Sequence, residues 1–182
     1  MIKKIDLSNK KLNSIYHNMV NRCTVASKES TDNSEFKDAS VCEEWLQDKQ
    51  LFFNWVSENY YEIEGEQMEL DKDILVPGNR LYSPETCVFA PKAINSFFRR
   101  DYNTNHSLPR GVTEVGTKYR PSIKGYSDTF TTIQEAEEVY LKHRKANAIA
   151  LADAYIGKIP HILYKAVETY YDKLPEETII SV

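Results

Sequence analysis

Residues 68–97 constrain the fold of this chain most strongly, because they predict two short strands and a helix in close succession. Met68 and Leu70 alternate with Glu69 and Asp71, and this alternation of apolar and polar residues is typical of a half-buried strand. We therefore predict a short strand that ends at Asp71.

A turn, a second strand and a helix follow within the same residues. Residues 77–79, Pro-Gly-Asn, have strong turn chemistry, and residues 87–90 form a short apolar run. Pro91 can occupy the first position of a helix, where its missing N–H costs nothing. The predicted helix would turn four apolar residues inward: Ala93, Ile94, Phe97 and Phe98.

Asp71 and Asn95 form the predicted metal site of this unit. The order of strand, turn, strand and helix places Asp71 at the end of one strand and Asn95 on a facing helix. Two side-chain oxygens presented in this way, with open positions left for water, suit a hard divalent cation such as Mg²⁺. A metal held there could polarise a phosphate and stabilise a leaving oxygen. From the residues alone, an ordinary surface aspartate and asparagine remain the alternative.

The motifs of this unit match those of a known nuclease module. They are Leu-Asp-Lys at 70–72, Tyr-Ser-Pro-Glu-Thr-Cys at 82–87, Phe89 and Asn95. The unit resembles the ββα-metal (HNH, or His-Me finger) module of bacteriophage homing endonucleases. The resemblance implies Mg²⁺ or Mn²⁺ as the cofactor, with Asp71 and Asn95 as its ligands. Zinc is not expected, because the chain contains no C-x-x-C spacing.

Lys72 occupies the position at which the nuclease module usually carries a histidine that acts as general base. A lysine in water has a pKa of about 10.4, so it is protonated at neutral pH and does not take a proton. Lys72 would have to be strongly desolvated to act as a base, or it would hold a phosphate instead. The resemblance thus makes Lys72 the third predicted catalytic residue, beside Asp71 and Asn95.

Two amphipathic helical segments are predicted before this unit. Apolar residues recur at three- and four-residue spacing over residues 10–22 and again over residues 41–56. Their aromatic residues are expected in the core, and Cys23, Cys42 and Cys87 are expected to pack rather than to bind a metal. The segments also resemble the phage nucleases, at Tyr16, Met19, Arg22, Cys23, Val41, Cys42, Glu43, Trp45, Leu46, Phe52 and Trp55.

The C-terminal part changes to short strand-like runs. Residues 111–115, 117–124 and 126–130 are separated by single glycines and predict a three-stranded antiparallel sheet. Thr132 and Glu135 then make a capping-box start for a helix that would pack on this sheet. Alternation along the middle run places four polar residues on one face of the sheet: Lys118, Arg120, Ser122 and Lys124.

Five short pieces of this part match a DNA-binding family: Gly111-Val112, Lys118-Tyr119-Arg120, Phe130-Thr131-Thr132, Glu135-Ala136 and Tyr140. They resemble the plant ethylene-response-type (apetala-type) DNA-binding domain, which phage homing endonucleases also carry. The resemblance implies that the sheet enters the major groove of double-stranded DNA. Residues 92–124 hold seven Lys or Arg against two acids on an otherwise acidic chain, a local footprint for phosphates. The predicted DNA-binding residues are Arg99, Arg100, Arg110, Lys118, Arg120 and Lys124.

The chain of 182 residues is therefore predicted to be an α+β protein of two units. Residues 1–100 would form an HNH-like nuclease domain, with N-terminal helices and a ββα-metal motif. Residues 101–109 are polar and predict a linker. Residues 110–182 would form the DNA-binding domain, with a three-stranded antiparallel sheet packed on a helix and an extra C-terminal helix. The inner side of that extra helix would bury Ile162, Leu163, Ala166, Val167 and Tyr170.

We expect a phage HNH-like, metal-dependent DNA endonuclease whose partner is double-stranded DNA. Two alternatives stay open. One is a non-cutting DNA-binding protein on a degenerate nuclease scaffold, acting as a regulator or blocker, and the other is a phage inhibitor that binds a host protein. No apolar run reaches the length of a membrane span, and the first residues lack an apolar signal core. The expected location is the cytoplasm, that of the host cell if a phage encodes the chain.

Overall fold

The computed structural model describes residues 7–24, 38–98 and 108–173, and it confirms the α+β class. The N-terminal part contains α1 (Asn9–Arg22), β1 (Ser40–Val41), α2 (Glu43–Gln47), α3 (Lys49–Asn59), β2 (Met68–Asp71), β3 (Leu81–Tyr82), β4 (Val88–Pro91) and α4 (Lys92–Phe98). The C-terminal part contains β5 (Val112–Val115), β6 (Lys118–Pro121), α5 (Ile133–Ala154), α6 (His161–Glu168) and a 3₁₀-helix (Tyr170–Asp172).

The first predicted amphipathic segment is helical, and the second is helical only from Glu43, because Val41 lies in β1. Side-chain caps mark the starts of α1 and α3. The Ser8 hydroxyl accepts a hydrogen bond from the Lys11 N–H (3.4 Å) at the start of α1. The second segment is split into α2 and α3 at Asp48, whose carboxylate accepts from the Gln50 N–H (2.8 Å). Such caps satisfy N–H groups that the first turn of a helix leaves unpaired.

Strand β2 pairs antiparallel with β4, and α4 follows β4 directly. Asp71, the last residue of β2, lies opposite Val88. The prediction that Pro91 begins the helix is wrong, because Pro91 is the last residue of the ladder. The pairing extends to the Lys92 N–H, which donates to the Gln67 carbonyl (2.8 Å), and α4 begins there.

Helix α4 buries one face against β2 and β4. Ile94 and Phe98 are buried and Phe97 is half-buried, as predicted. Ala93 is exposed, so its predicted inward position is wrong. Consecutive residues of an α-helix lie about 100° apart around the axis, and the sheet covers the face that Ile94 and Phe98 share.

Aromatic side chains fill the centre of the N-terminal part, as the sequence predicts. Trp45, Phe52 and Phe89 are at most 2 % exposed. The ring centroids of Trp45 and Phe52 lie 4.9 Å apart, and those of Tyr60 and Phe89 lie 5.0 Å apart, both with the rings edge to face. Contacts of this geometry stabilise by about 0.5–1.5 kcal/mol per pair beyond the buried area.

A short parallel pair, β1 with β3, ties the chain after β2 to the helical layer. Val41 lies opposite Tyr82, and the Cys42 N–H donates to the Tyr82 carbonyl (2.9 Å). The Tyr82 side chain is itself buried. The loop that connects β2 to β4 is therefore anchored at its midpoint as well as at its ends.

Strands β5 and β6 form an antiparallel hairpin, but the predicted third strand is wrong. Within the described residues it is reduced to Phe130, which pairs with Tyr119 through two backbone hydrogen bonds (2.9 and 2.7 Å). Local turns use the intervening backbone instead. The Ile123 N–H donates to the Pro121 carbonyl (2.9 Å), and the Tyr126 N–H donates to the Ile123 carbonyl (3.0 Å).

Helix α5 begins with the predicted capping box, which is confirmed. The Thr132 hydroxyl accepts from the Glu135 N–H (3.3 Å), and the Glu135 carboxylate accepts from the Thr132 N–H (3.1 Å). The first half of the helix covers the β5–β6 hairpin and buries Ala136. The second half enters the main core through Ala148 and Ala152.

The C-terminal helices share a hydrophobic core with the N-terminal part. Leu163 and Val167 of α6 are fully buried in it, as predicted, whereas Ile162 is 60 % exposed, against the prediction. The Phe98 and Tyr170 rings are in contact, with centroids 4.3 Å apart. Helix α4 therefore packs between the small sheet of the N-terminal part and the C-terminal helices.

Arg144 of α5 contacts the C-terminal end of α4 and stabilises this packing. Its guanidinium lies 3.7 Å from the Phe97 ring centroid and donates to the Phe97 carbonyl (2.5 Å). The predicted division of the chain at 101–109 stays a prediction, because residues 99–107 lie outside the described part. None of the helices in the described ranges is long and apolar enough to cross a membrane.

Replacing Gly111 with alanine is expected to destabilise the β5–α5 contact. Gly111 has a φ of +79°, and a Cβ there would lie 2.2 Å from the Tyr140 ring. Left-handed backbone strain and overpacking together predict a loss of about 2–4 kcal/mol in the free energy of unfolding. Gly116→Ala is the control, because its φ of +64° carries the strain but nothing lies within 4 Å. Urea denaturation of both variants checks this, and equal losses would contradict the packing at Tyr140.

Candidate functional site

The Asp71 carboxylate closes the turn that ends β2. Its Oδ1 accepts hydrogen bonds from the Asp73 N–H (2.8 Å) and the Ile74 N–H (2.7 Å). Short acidic side chains favour such local bonds to the backbone two or three residues ahead. Ile74 is buried at once after the turn. Both bonds use Oδ1, so Oδ2 is the oxygen that can bind a cation.

The environment of Asp71 disfavours its negative charge. Burial, followed by the charge of Asp73, raises the pKa of Asp71 to about 7, although the N–H groups of Ile74 and Asp73 and the charge of Lys72 act in the opposite direction. A carboxylate that water solvates poorly gains more from a bound cation than an exposed one does. The position of Asp71 is therefore electrostatically suited to a divalent metal.

Lys72 follows Asp71 in this turn and is buried. Its Nζ lies 3.3 Å from Asp73 Oδ2 and 5.7 Å from the centroid of the Tyr82 ring. Its carbonyl accepts from the Asn79 side-chain amide (2.6 Å), which also donates to the Leu81 carbonyl (2.7 Å). Asn79 was not among the predicted site residues, although its place in a predicted turn marked it as a candidate brace of this loop.

Asn95 reaches β2 from α4, and it contacts Glu69 there. The Asn95 side-chain amide donates to Glu69 Oε2 (2.5 Å). In the described part of the chain no hydrogen bond joins Asn95 to Asp71, but Glu69 and Asp71 are two residues apart on β2 and so share a face of the strand. Glu69 was not among the predicted site residues; period-two alternation places it on the strand face of Asp71, but the contact with Asn95 has no local signal.

Arg22 and Asp71 both act electrostatically on the buried Tyr82 hydroxyl. Burial raises the pKa of the Tyr82 hydroxyl, Arg22 acts to lower it through its charge and side-chain hydrogen bonding, and the charge of Asp71 acts to raise it. Burial likewise raises the pKa of the Cys87 thiol. Both groups are therefore neutral at physiological pH, and Arg22 is the nearby cation that the sequence analysis did not assign to the site.

The three cysteines are free thiols, and Cys42 and Cys87 are buried. Within the ranges that the structure describes, no group of three or more His, Cys, Asp or Glu side chains is arranged to hold a metal ion. A cation at Asp71 would therefore depend on one carboxylate, the Asn95 amide oxygen and water. Sites of this sparse kind are typical of Mg²⁺, which keeps several of its water ligands.

The predicted DNA-binding residues fall into three groups. Lys118 and Arg120 are exposed on one face of β6, as predicted, and Arg110 is exposed just before β5. Lys124 is exposed but lies in a turn, so its predicted place on the strand is wrong, because β6 ends at Pro121. The remaining two, Arg99 and Arg100, lie outside the described residues.

Comparison with known proteins gives no relative for this chain. No protein-family model matches it, and neither a curated protein nor a solved structure matches it. The assignment of function therefore depends on the geometry of the chain itself.

Asp71→Asn is expected to make the protein more stable than the wild type at neutral and higher pH. Folding raises the pKa of Asp71, so proton binding by Asp71 contributes to the free energy of unfolding. This contribution is complete below pH 3.8 and is lost as the pH rises through about 7. Asparagine keeps an oxygen for the two N–H bonds and carries no charge. After allowance for partial solvation, we expect the advantage of the variant to grow by about 1–3 kcal/mol across this pH interval.

Urea denaturation in a chelating buffer, at acidic and at mildly basic pH, measures this difference. Asp128→Asn is the matched control, because Asp128 is exposed and its replacement removes the same charge. The control should show no comparable growth with pH. If the gain in the free energy of unfolding from Asp71→Asn does not change with pH, the Asp71 carboxylate is not poorly solvated in the folded protein.

Proposed function

We propose that the chain is a metal-dependent DNA endonuclease of the HNH type, with the β5–β6 hairpin as a second DNA-binding element. One observation carries the proposal. A poorly solvated Asp71 carboxylate ends β2, on the strand face from which Glu69 holds Asn95 of the following helix. This order of strand, strand and helix supports the resemblance that the motifs indicate.

Asp71 and Asn95 are the residues that would hold the cation. The amide nitrogen of Asn95 donates to Glu69, so Oδ1 is the Asn95 atom that would bind a metal, and Glu69 would orient it. When bound, Mg²⁺ or Mn²⁺ would polarise a phosphate and stabilise the leaving oxygen. The donor set is hard and carries a single formal charge from Asp71, which suits these ions.

Lys72 would act on the substrate through its N–H donors. A lysine ammonium has three donors and no acceptor, and its ion pair with Asp73 fits phosphate binding better than proton abstraction. Water activation would then fall to another base or to solvent. Burial of Lys72 keeps its Nζ beside the Asp71 turn, at Asp73.

A second candidate function is a DNA-binding protein that does not cut. The observation that favours it is the Lys72–Asp73 ion pair at the place where the nuclease module has its histidine base. Lys118 and Arg120 on the hairpin support DNA binding under either candidate, because exposed cations on one strand face suit phosphate and base contacts.

Cleavage of supercoiled plasmid with Mg²⁺ or Mn²⁺ tests the first proposal. The wild type should nick the plasmid, and Asp71→Ala and Asn95→Ala should each lower the rate by about 100-fold or more, since each removes a proposed ligand. Asp153→Ala and Asn54→Ala, which change exposed residues of α5 and α3, are the controls and should cut like the wild type.

A gel shift on the same plasmid separates the candidates. Binding without cleavage, unchanged in Asp71→Ala, would reject the nuclease and support the DNA-binding protein. Absence of both cleavage and binding would reject both candidates.

A further inference from the structure

A groove of about 180 Å³ lies between α1 and β2, beside the candidate metal site. One face of α1 forms its first wall, and Gln67 and Glu69 stand on the opposite wall. Apolar residues such as Met19 and Phe89, both buried, line its floor. No step proposed above uses the α1 wall.

The α1 wall is a row of hydrogen-bond donors. Lys11, Ser14, Asn18 and Arg22 line the groove at intervals of three and four residues, which places them on one stripe of the helix. Each of these side chains can donate, and two are cationic. With a rise of 1.5 Å per residue, the row extends over about 16 Å.

The groove ends at the residues proposed for catalysis. Arg22, at the end of α1, lines the groove, and both Arg22 and the charge of Asp71 act on the Tyr82 hydroxyl. Glu69 lines the groove and at the same time binds Asn95 of α4. A ligand extended along α1 would therefore lie against the strand that ends at Asp71.

A row of donors with cations at both ends suits a polyanion with regularly spaced charges. One DNA strand advances by 3.4 Å per nucleotide, so about 16 Å corresponds to roughly five nucleotides. We propose that the α1–β2 groove binds the sugar–phosphate backbone of one nucleic-acid strand and directs it to Asp71. This inference rests on the proposed function, because the groove would deliver substrate to the proposed nuclease site. It concerns a different surface from the β5–β6 hairpin.

Two neighbouring lysines of α1 provide a matched test. Lys11 lines the groove, whereas Lys10 is exposed on the same helix and does not. Lys11→Glu and Lys10→Glu change the net charge equally, so long-range electrostatics alone predicts equal effects. Binding of a short fluorescein-labelled duplex is measured by anisotropy in a chelating buffer, so that neither metal nor cleavage affects the result.

Lys11→Glu is expected to weaken binding by about tenfold or more, and Lys10→Glu by less than about threefold. Lys11→Ala should also lower the slope of log affinity against log salt by about 1, while Lys10→Ala leaves it unchanged. Both side chains are exposed, so thermal unfolding of the variants should match the wild type and exclude a folding defect.

Equal losses in the two glutamate variants would overturn the groove proposal. So would a polyglutamate probe that binds as tightly as DNA with the same dependence on Lys11, because the groove would then accept acidic protein rather than nucleic acid. The proposed nuclease is judged separately. If the wild type cleaves plasmid but Lys11→Glu and Lys10→Glu weaken DNA binding equally, only the groove proposal is rejected. If Lys11→Glu alone weakens DNA binding and the wild type does not cleave, the groove is supported and the nuclease is rejected.

Discussion

The two hydrogen bonds from the Asp73 and Ile74 N–H groups to the Asp71 carboxylate are the constraint on which the candidate site depends. They end β2, turn the chain so that Lys72 and Ile74 become buried, and fix Asp71 where water solvates its charge poorly. The same geometry that closes the turn with one oxygen leaves the other for a cation. The Asp71 side chain thus both closes the turn after β2 and is the proposed ligand of the cation.

The position of Asn95 depends on packing from two sides. The β2–β4 pair supports the inner face of α4, while Arg144 and Tyr170 hold its C-terminal end through Phe97 and Phe98. Residues that belong to the C-terminal part therefore orient a helix of the N-terminal part. Because α5 also covers the β5–β6 hairpin, one helix connects the proposed DNA-binding face with the helix that carries Asn95.

Local patterns predicted the elements that depend on neighbouring residues in the chain. The alternation around Leu70 gave β2, and Thr132 with Glu135 gave the start of α5. What failed depends on which partners a segment finds, and the alternation of apolar and polar residues does not specify these partners. The third strand is replaced by local turns after Pro121, and Ile162 is exposed because α6 has its partners on the other side. The Asn95–Glu69 contact spans 26 residues, and no local pattern encodes such a distance.

The central claim is that Asp71 and Asn95 bind one divalent cation, and Mn²⁺ titration followed by NMR tests it most directly. A bound Mn²⁺ broadens the signals of nearby nuclei. If Asp71 and Asn95 bind the ion, broadening should begin at the Asp73 and Ile74 amides and at the Asn95 side-chain amide. Asp71→Asn should abolish this broadening. Broadening that begins elsewhere, for example at the exposed acids Glu43 and Glu44 of α2, and leaves these signals sharp would contradict the claim.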